Sequence, residues 1–439
     1  MTIQKTRVAS RAGENMRRAL IALSIAAIGG LSTHAAASGF QLIEQNASGL
    51  GNAYAGQAAA AENSSTIFYN PAGMTRLPGR QVSAAVHAIG PSTKFSDNGG
   101  SRSPTNLPAP NGGTNGGDAG GWIPTGNLYT SWQLSPQLWA GLGVSAPFGL
   151  KTEYDNTFIG RFQSRVAEIK TYDFNPSVAY KVSDAVALGA GVSYQRGEIS
   201  LDRSFFAGAT LPETVRLSDN AWGWNIGAMF TLSPQTRLGA SYRSAINHDL
   251  TGTVNITGLG AASSKVEVKL PDTFSIALSH QVNDRWQVLG DVTYTRWGTI
   301  NNIPLILTSR GLGASPAGTV ADILDFNFRD TYRVGVGANY QYSDNFTVKL
   351  GTAYDQTPVP DAAHRTVLLP DNDRWWLALG GKYRFSKTTT IDAGYAHIFV
   401  VNGDTLRNKG VGAAGAQGIV SGSCKLSVDI LSVQLTWAF

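Results

Sequence analysis

The chain has 439 residues, of which 15% are charged, 42% hydrophobic and 10% aromatic, and it contains 50 glycines. The charged fraction lies well below the ~25% of typical soluble proteins, and the hydrophobic fraction is too low for a bundle of membrane-spanning helices. Low charge with many glycines and aromatic residues is typical of a β-barrel whose outer wall faces lipid.

The first segment, residues 1–37, predicts a cleaved secretory signal. Five basic residues precede an apolar stretch over roughly 19–31, and Ala35-Ala36-Ala37 offers a cleavage site before Ser38. A membrane anchor is the alternative, but the apolar stretch is short for a span. Without this segment the formal charge falls from +5 to +1, so the basic pI of the whole chain indicates no nucleic-acid partner.

Residues 38–78 precede the first convincing strand and do not have a strand pattern themselves. They include an alanine-rich run over 55–61 and the turn-forming sequence Asn70-Pro71-Ala72-Gly73. This stretch is too apolar for a disordered tail. A barrel of this size has a lumen that leaks unless it is filled. We therefore predict that residues 38–78 form a plug, or hatch, inside the lumen.

Residues 79–439 have the alternation of membrane β-strands. Over 285–298, Trp286, Val288 and Val292 share one parity, whereas the other parity is mostly polar. Successive side chains of a strand point to opposite faces, so one face is apolar and aromatic. In a soluble sandwich that face would meet a second sheet, and in a barrel it meets lipid.

The connections predict how many strands there are. Six short turns recur at 134–137, 182–184, 232–235, 282–285, 342–345 and 385–387, and they are rich in the turn formers Pro, Asn, Asp and Ser. Seven longer connections alternate with them, at roughly 91–121, 150–165, 204–215, 250–265, 300–325, 355–372 and 401–424. Short periplasmic turns and long outer loops are the outer-membrane pattern. We predict an all-β fold, a 14-stranded antiparallel transmembrane β-barrel with an N-terminal plug.

Several function classes find no support in the residues. After the signal no window of ~18 apolar residues occurs, so a spanning chain must close as a barrel. Cys424 is the only cysteine and the six histidines are scattered, so we predict no disulfide, no metal site and no cofactor. No G-x-S-x-G motif or catalytic group is present, so we expect no enzyme.

Short motifs spread over the whole mature chain are similar to those of the FadL/TodX family of outer-membrane transporters for long-chain fatty acids and aromatic hydrocarbons. The matching sequences are Ser38-Gly39-Phe40-Gln41-Leu42, Ser48-Gly49-Leu50-Gly51-Asn52-Ala53-Tyr54-Ala55-Gly56, Asn70-Pro71-Ala72, Pro147-Phe148-Gly149-Leu150-Lys151-Thr152-Glu153-Tyr154, Trp222-Gly223-Trp224-Asn225, Phe328-Arg329-Asp330-Thr331-Tyr332-Arg333, Tyr354-Asp355-Gln356-Thr357-Pro358-Val359-Pro360 and Pro370-Asp371-Asn372-Asp373-Arg374.

The resemblance implies a transport route. Ligand enters from outside, binds in an apolar lumen pocket and leaves sideways into the membrane through a kink in the third strand. Here the kink falls at Pro147, Phe148 and Gly149, where Pro cannot complete a ladder and Gly permits unusual backbone angles. A loop entrance is the alternative for these three residues. The resemblance also implies that the hatch, including Phe40 and Asn70-Pro71-Ala72, packs near the kink.

The resemblance further implies basic lumen residues that hold a fatty-acid carboxylate. Arg203 matches one such position, and the second falls near residues 324–325, where the chain has no base but Arg329 lies close by. A rim arginine paired with an acid is the alternative for both. The missing cation favours a neutral hydrocarbon. Phe205 and Phe206 are candidates for a small apolar landing patch in the third outer loop.

The implied partners are a hydrophobic small molecule, either a fatty acid or an aromatic hydrocarbon, and outer-membrane lipid. The C-terminal Phe439 resembles the signal read by the barrel-assembly machinery, and a monomer is the family expectation. A general porin is the main rival, because a wide barrel can conduct polar solutes. A porin has no plug, so residues 38–78 argue against it.

Overall fold

The computed structural model describes residues 39–439, so the predicted signal lies outside the described residues. Twenty strands form one antiparallel sheet that closes when β20 pairs with β1. The strands are β1 (Arg80–Asp97), β2 (Ile123–Gln133), β3 (Leu138–Ser145), β4 (Gly149–Glu153), β5 (Val166–Lys181), β6 (Val186–Phe206), β7 (Thr210–Thr231), β8 (Thr236–Arg243), β9 (Ile246–Ile256), β10 (Gly260–Leu270), β11 (Thr273–Gln281), β12 (Trp286–Thr295), β13 (Asn302–Leu307), β14 (Val320–Asp325), β15 (Thr331–Ser343), β16 (Phe346–Asp355), β17 (Arg374–Arg384), β18 (Thr389–Val400), β19 (Gly403–Asn408) and β20 (Ile419–Ala438).

The ring has fourteen positions, because six of them hold two successive strands separated by a short break. These pairs are β3/β4, β8/β9, β10/β11, β12/β13, β14/β15 and β18/β19, and each pair lies along the same neighbours. The predicted fourteen-stranded antiparallel barrel is therefore confirmed. Closure leaves the ring no free outer edge, which a lipid environment demands.

All six predicted short turns connect neighbouring strands at one end of the barrel. The long connections differ from the prediction, because several of them continue as paired strands. Strands β6 and β7 stay in register to Phe206 and Thr210, and β9 and β10 to Ile256 and Gly260. Cross-strand pairing thus extends well past the band that faces lipid, and the residues predicted as loops become walls of the lumen.

The outer face of the wall is apolar and aromatic as predicted. Trp222, Val336 and Leu377 are each more than half exposed, and aromatic pairs such as Trp286 and Tyr340 lie 4.7 Å apart between ring centroids on neighbouring strands. No helix in residues 39–439 is long and apolar enough to cross a membrane.

The N-terminal segment, residues 39–79, consists of turns and very short helices that contact many wall strands. Its helices are α1 (Gln57–Ala60), α2 (Thr66–Tyr69) and the 3-10 turns Leu50–Asn52 and Pro71–Arg76; a further 3-10 turn, Trp297–Thr299, lies between β12 and β13. Asn52 Nδ2 donates to the carbonyls of Ala338 and Leu350, and Asn70 Nδ2 donates to the carbonyl of Ala228. These contacts tie the N-terminal segment to widely separated strands of the ring.

Candidate ligand pocket and wall gap

An apolar pocket lies near the end of the barrel that carries the long connections. Its walls come from alternate residues of the extended strands, and its lining includes Leu201, Val215, Val268, Ile303, Leu305 and Phe326. The lining is almost entirely apolar, as in pockets that bind hydrophobic molecules. We call this cavity the outer pocket, and its lining suits a hydrophobic molecule.

The sequence contains a pattern of apolar residues that indicates the outer pocket, but the pattern overlaps or borders the stretches predicted as loops. Apolar residues recur two apart at Val215 and Leu217, at Val266 and Val268 and at Ile303 and Leu305. That spacing puts each pair on one face of a strand. Because these stretches overlap or border the predicted long connections, their common inward face was not predicted.

The third wall position is broken where the kink was predicted. Strand β3 ends at Ser145 opposite Asp173, and β4 starts at Gly149 opposite Lys170, so both pieces continue along β5. On the other side, pairing with β2 stops at Leu128 and Val144. We call the space between β2 residues 123–127 and residues 145–149 the wall gap.

The N-terminal segment occupies the wall gap with its first residues. The Leu42 amide donates to the Pro147 carbonyl at 2.7 Å, and the Gly149 amide donates to the Phe40 carbonyl at 2.9 Å. Gln45 Nε2 donates to the Ala146 carbonyl at 3.0 Å. The carbonyl groups exposed by the broken strand are thus satisfied by the N-terminal segment, as a lipid-facing wall requires.

Four aromatic rings join the outer pocket to the wall gap. Phe40 contacts Trp297 at 5.0 Å between ring centroids and Phe148 at 5.9 Å. Trp297 also contacts Phe148 at 6.3 Å and Phe328 at 5.9 Å, and it is fully buried. One ring, Phe40, therefore lines the outer pocket and touches the kink residue Phe148.

A second cavity lies beside residues 41–43 of the N-terminal segment. It is lined by the N-terminal segment and by wall residues, and the lining includes Gln41, Ile43, Tyr69, Pro71, Arg243 and Arg333. The two arginines also hold the N-terminal segment, since Arg243 donates to the Phe68 carbonyl and Arg333 to the Ala53 carbonyl. We call this cavity the inner chamber.

The predicted Asn70-Pro71-Ala72 sequence lies beside the inner chamber. The Asn70 side chain accepts from the Ala72 amide at 3.1 Å, which caps the 3-10 turn that starts at Pro71. The same side chain donates to Ala58 at 2.7 Å. The motif therefore fastens two turns of the N-terminal segment to each other.

The structure surrounds Arg203 with acids. Its Nε and one terminal nitrogen donate to Glu213, both at 2.8 Å, and the other terminal nitrogen donates to Asp322. Asp322 lines the outer pocket, whereas Arg203 lies behind it and is 6% exposed. A role for Arg203 in binding a carboxylate stays a prediction. It would require Glu213 or Asp322 to release its hydrogen bond with Arg203.

The other predicted ligand residues lie away from the outer pocket. Arg329 has a 44% exposed side chain that donates to the Thr357 carbonyl and lies 3.9 Å from Asp373. Phe205 and Phe206 lie at the tip of the β6–β7 hairpin, partly exposed. The structure does not bring these residues together with the lining of the pocket. Within residues 39–439 no group of His, Cys, Asp and Glu could hold a metal ion.

The family model for outer membrane protein transport proteins (OMPP1/FadL/TodX) matches residues 28–439. The chain belongs to this family. Among OMPP1/FadL/TodX relatives, the long-chain fatty acid transport protein of Salmonella typhi is 28% identical over 417 residues, which cover 87% of this chain and 91% of the relative. The protein of that name from Escherichia coli strain K12 is 27% identical over 428 residues, with 87% and 91% covered.

Solved structures of OMPP1/FadL/TodX proteins share the fold. The FadL homologue of Pseudomonas aeruginosa has a TM-score of 0.82 at 23% identity, covering 92% of this chain and all of that one. The toluene transporter TodX of P. putida has a TM-score of 0.65 at 17% identity, covering 90% and 98%. The family places the chain in the Gram-negative outer membrane, among transporters of hydrophobic substrates rather than enzymes.

Proposed function

We propose that the protein takes up a long-chain fatty acid through the outer membrane. Two relatives that bear the name of fatty acid transporters span nearly its whole length. The observation that carries the proposal is the outer pocket, because its almost entirely apolar lining suits a fatty chain. Phe40 links that cavity to the wall gap through its contact with Phe148.

The proposed route runs from the outer face to the outer pocket and then sideways through the wall gap into the membrane. Residues 38–78 act as a plug, which their contacts with strands around the ring support. The barrel works as a monomer surrounded by outer-membrane lipid, and the assembly machinery reads Phe439. A porin is disfavoured because it needs an open lumen, whereas the contacts of the N-terminal segment with widely separated strands support a plug.

A second candidate function is uptake of a neutral aromatic hydrocarbon. Within residues 39–439 the lining of the outer pocket includes the acids Glu168 and Asp322 but no lysine or arginine. A buried carboxylate needs a cation or several hydrogen-bond donors. The lining therefore suits an uncharged ligand, or a fatty acid that binds in its protonated form.

Binding of oleate, methyl oleate and toluene to the purified barrel separates these candidates. A fatty acid transporter binds oleate saturably, whereas a hydrocarbon channel binds toluene and not oleate. Methyl oleate has the same chain without the acid, so its affinity relative to oleate reports what the carboxyl group contributes. Failure of all three ligands to bind would contradict the proposed pocket.

We predict that Gly149→Trp blocks uptake without preventing assembly. The new side chain fills the wall gap, whereas the barrel ladder along β5 stays in place. The matched control is Gly290→Trp on β12, where an added Cβ meets only the Gly335 carbonyl, at 3.7 Å. Uptake of labelled oleate by cells that express each variant is the measurement. Normal uptake by Gly149→Trp would contradict lateral exit.

A further inference from the structure

Glu44 is a buried acid without a partner at the wall gap. Its residue is 1% exposed, and neither carboxyl oxygen has a hydrogen-bond partner within residues 39–439. Its backbone carbonyl, in contrast, is held by Asn127 Nδ2 of β2 at 3.0 Å. The next residue, Gln45, reaches the other side of the gap at Ala146. The unpartnered carboxyl group thus belongs to the short stretch that bridges the two sides.

The charged groups around Glu44 compensate a negative charge there only in part. Arg374 is engaged by Asp371, with its Nε at 2.9 Å, and Arg333 lies 3.4 Å from Asp291. Asp355 contributes a further negative charge. The remaining titratable neighbours are the hydroxyl groups of Tyr54 and Tyr69 from the N-terminal segment itself.

The balance of these effects favours the neutral acid. Burial raises the pKa of Glu44 from its ordinary 4.5 to about 7, against the lowering effects of its own backbone amide and of the charges of Arg374 and Arg333. A buried carboxylate without a donor is costly, whereas a buried carboxylic acid is much less so. Ionisation of Glu44 therefore disfavours the position of residues 42–45 in the wall gap, which we call the seated position.

We propose that Glu44 is a proton-dependent latch, which keeps residues 42–45 in the wall gap while its carboxyl group is protonated and lets them leave when it is ionised. This inference rests on the proposed lateral exit. It assigns to one side chain the control over how often the gap opens, and it makes passage of any ligand, charged or neutral, depend on pH.

The direction of the pH dependence follows from the pKa of Glu44 in two states, with residues 42–45 seated in the wall gap or unseated. Below about pH 4.5 the acid is protonated whether the stretch is seated or not, so seating does not depend on pH. Between about 4.5 and about 7 the ratio of unseated to seated molecules rises about tenfold per pH unit, because only the unseated state accepts the charge easily. Above pH 7 the ratio levels off.

The test uses a neutral probe, so that the titration of the ligand itself plays no part. Passage of a fluorescent long-chain alcohol into liposomes through the reconstituted full-length barrel is measured from pH 5 to pH 8.5. We expect passage to rise at least tenfold with pH in the wild type. We expect Glu44→Gln, which cannot ionise, to remain at the slow, low-pH level throughout. Glu267→Gln removes a 67% exposed acid in the outer strands and is the matched control, with the wild-type profile.

The outcomes distinguish a failure of the proposed lateral exit from a failure of the proposed Glu44 latch. If the alcohol still passes through Gly149→Trp, lateral exit fails. If Gly149→Trp blocks passage but the wild type and Glu44→Gln have the same flat profile, the latch alone fails.

Hydrogen exchange gives a second readout that does not need the Glu44→Gln variant to assemble. Amides of residues 40–46 in the wild type should lose protection from pH 5 to pH 8.5, after correction for chemical exchange. The Gly149 amide, which donates to Phe40, should lose protection with them. Unchanged protection in both places would overturn the proposal.

Discussion

The buried charge of Arg203 is held in a network whose members depend on one another. Arg203 is shared between Glu213 and Asp322, and Asp322 also lies 3.7 Å from the Lys409 ammonium group. Taking one member away leaves the others buried and uncompensated, which costs more than the pair itself contributes. Asp322 lines the outer pocket, so this network supports the pocket wall.

We therefore predict that Arg203→Met lowers the free energy of unfolding by about 3–5 kcal/mol. Arg329→Met is the control, because its exposed ion pair with Asp373 is worth about 0–1 kcal/mol. Urea unfolding of the detergent-solubilised barrels measures both. We also expect Arg203→Met to weaken oleate and toluene binding by the same factor. Loss of oleate binding alone would identify Arg203 as the cation that holds the carboxylate.

The contact between the N-terminal segment and the wall strands depends on glycines that face inward. A Cβ added at Gly351 would lie 2.1 Å from the Asn52 carbonyl carbon, and one at Gly380 would lie 2.8 Å from the Gly51 Cα. At Gly239 it would lie 2.0 Å from the Ala58 carbonyl oxygen. In each case the added Cβ would clash with a backbone atom, which cannot move away by a change of rotamer as a side chain can. These strands thus form a seat shaped for the N-terminal segment.

Gly351→Val is expected to displace the N-terminal segment while the barrel still assembles. The expected result is a clear rise of single-channel ion conductance in planar bilayers, because the lumen loses part of its filling. Gly290→Val, whose added Cβ would meet nothing closer than 3.7 Å, should keep the low conductance. Equal conductance of the two variants would show that the seat at Gly351 is not needed.

These elements also show what could be predicted from the sequence. The fourteen positions and six short turns were predicted because turn formers and alternation are local signals. The break at Pro147 was located by the same kind of local signal, together with the family resemblance. The extension of β6 and β7 past the membrane was missed because Gly208 and Pro212 are turn formers that favoured a long loop over 204–215, whereas only residues 207–209 form the turn. For Arg203, pairing with an acid was one of the two alternatives, but its partner Asp322 could not be predicted because it lies 119 positions away.

At the scale of the whole molecule, the N-terminal segment is fastened at two places with opposite responses to pH. The Glu62 carboxylate accepts from Lys349 at 2.8 Å and from Lys382 at 2.7 Å. Burial would raise the pKa of Glu62, but the two ammonium groups outweigh it and hold that pKa well below its usual range. This contact stabilises the segment above about pH 4.5 and is lost in stronger acid, whereas the Glu44 carboxyl group seats best when protonated.

Glu62→Gln is expected to loosen the end of the segment near α1 at neutral pH. The change leaves two ammonium groups facing each other, and we expect a cost of about 3 kcal/mol. Hydrogen exchange of residues 57–65 should quicken in Glu62→Gln and stay unchanged in Glu44→Gln. In the wild type the same amides should keep their protection from pH 5 to pH 8 and lose it in stronger acid. The opposite trend would contradict the assignment of Glu62 as the anchor.

The broken third strand has a consequence for water. While residues 40–45 are in the wall gap, the carbonyls of Ala146 and Pro147 and the Gly149 amide have partners. Once that stretch leaves, these groups face the hydrocarbon, where each unsatisfied group costs several kcal/mol. Only water or lipid headgroups can replace the lost donors and acceptors. On the proposed lateral route, the wall gap would therefore be hydrated when it opens, and each crossing should be accompanied by a brief leak of protons or small ions.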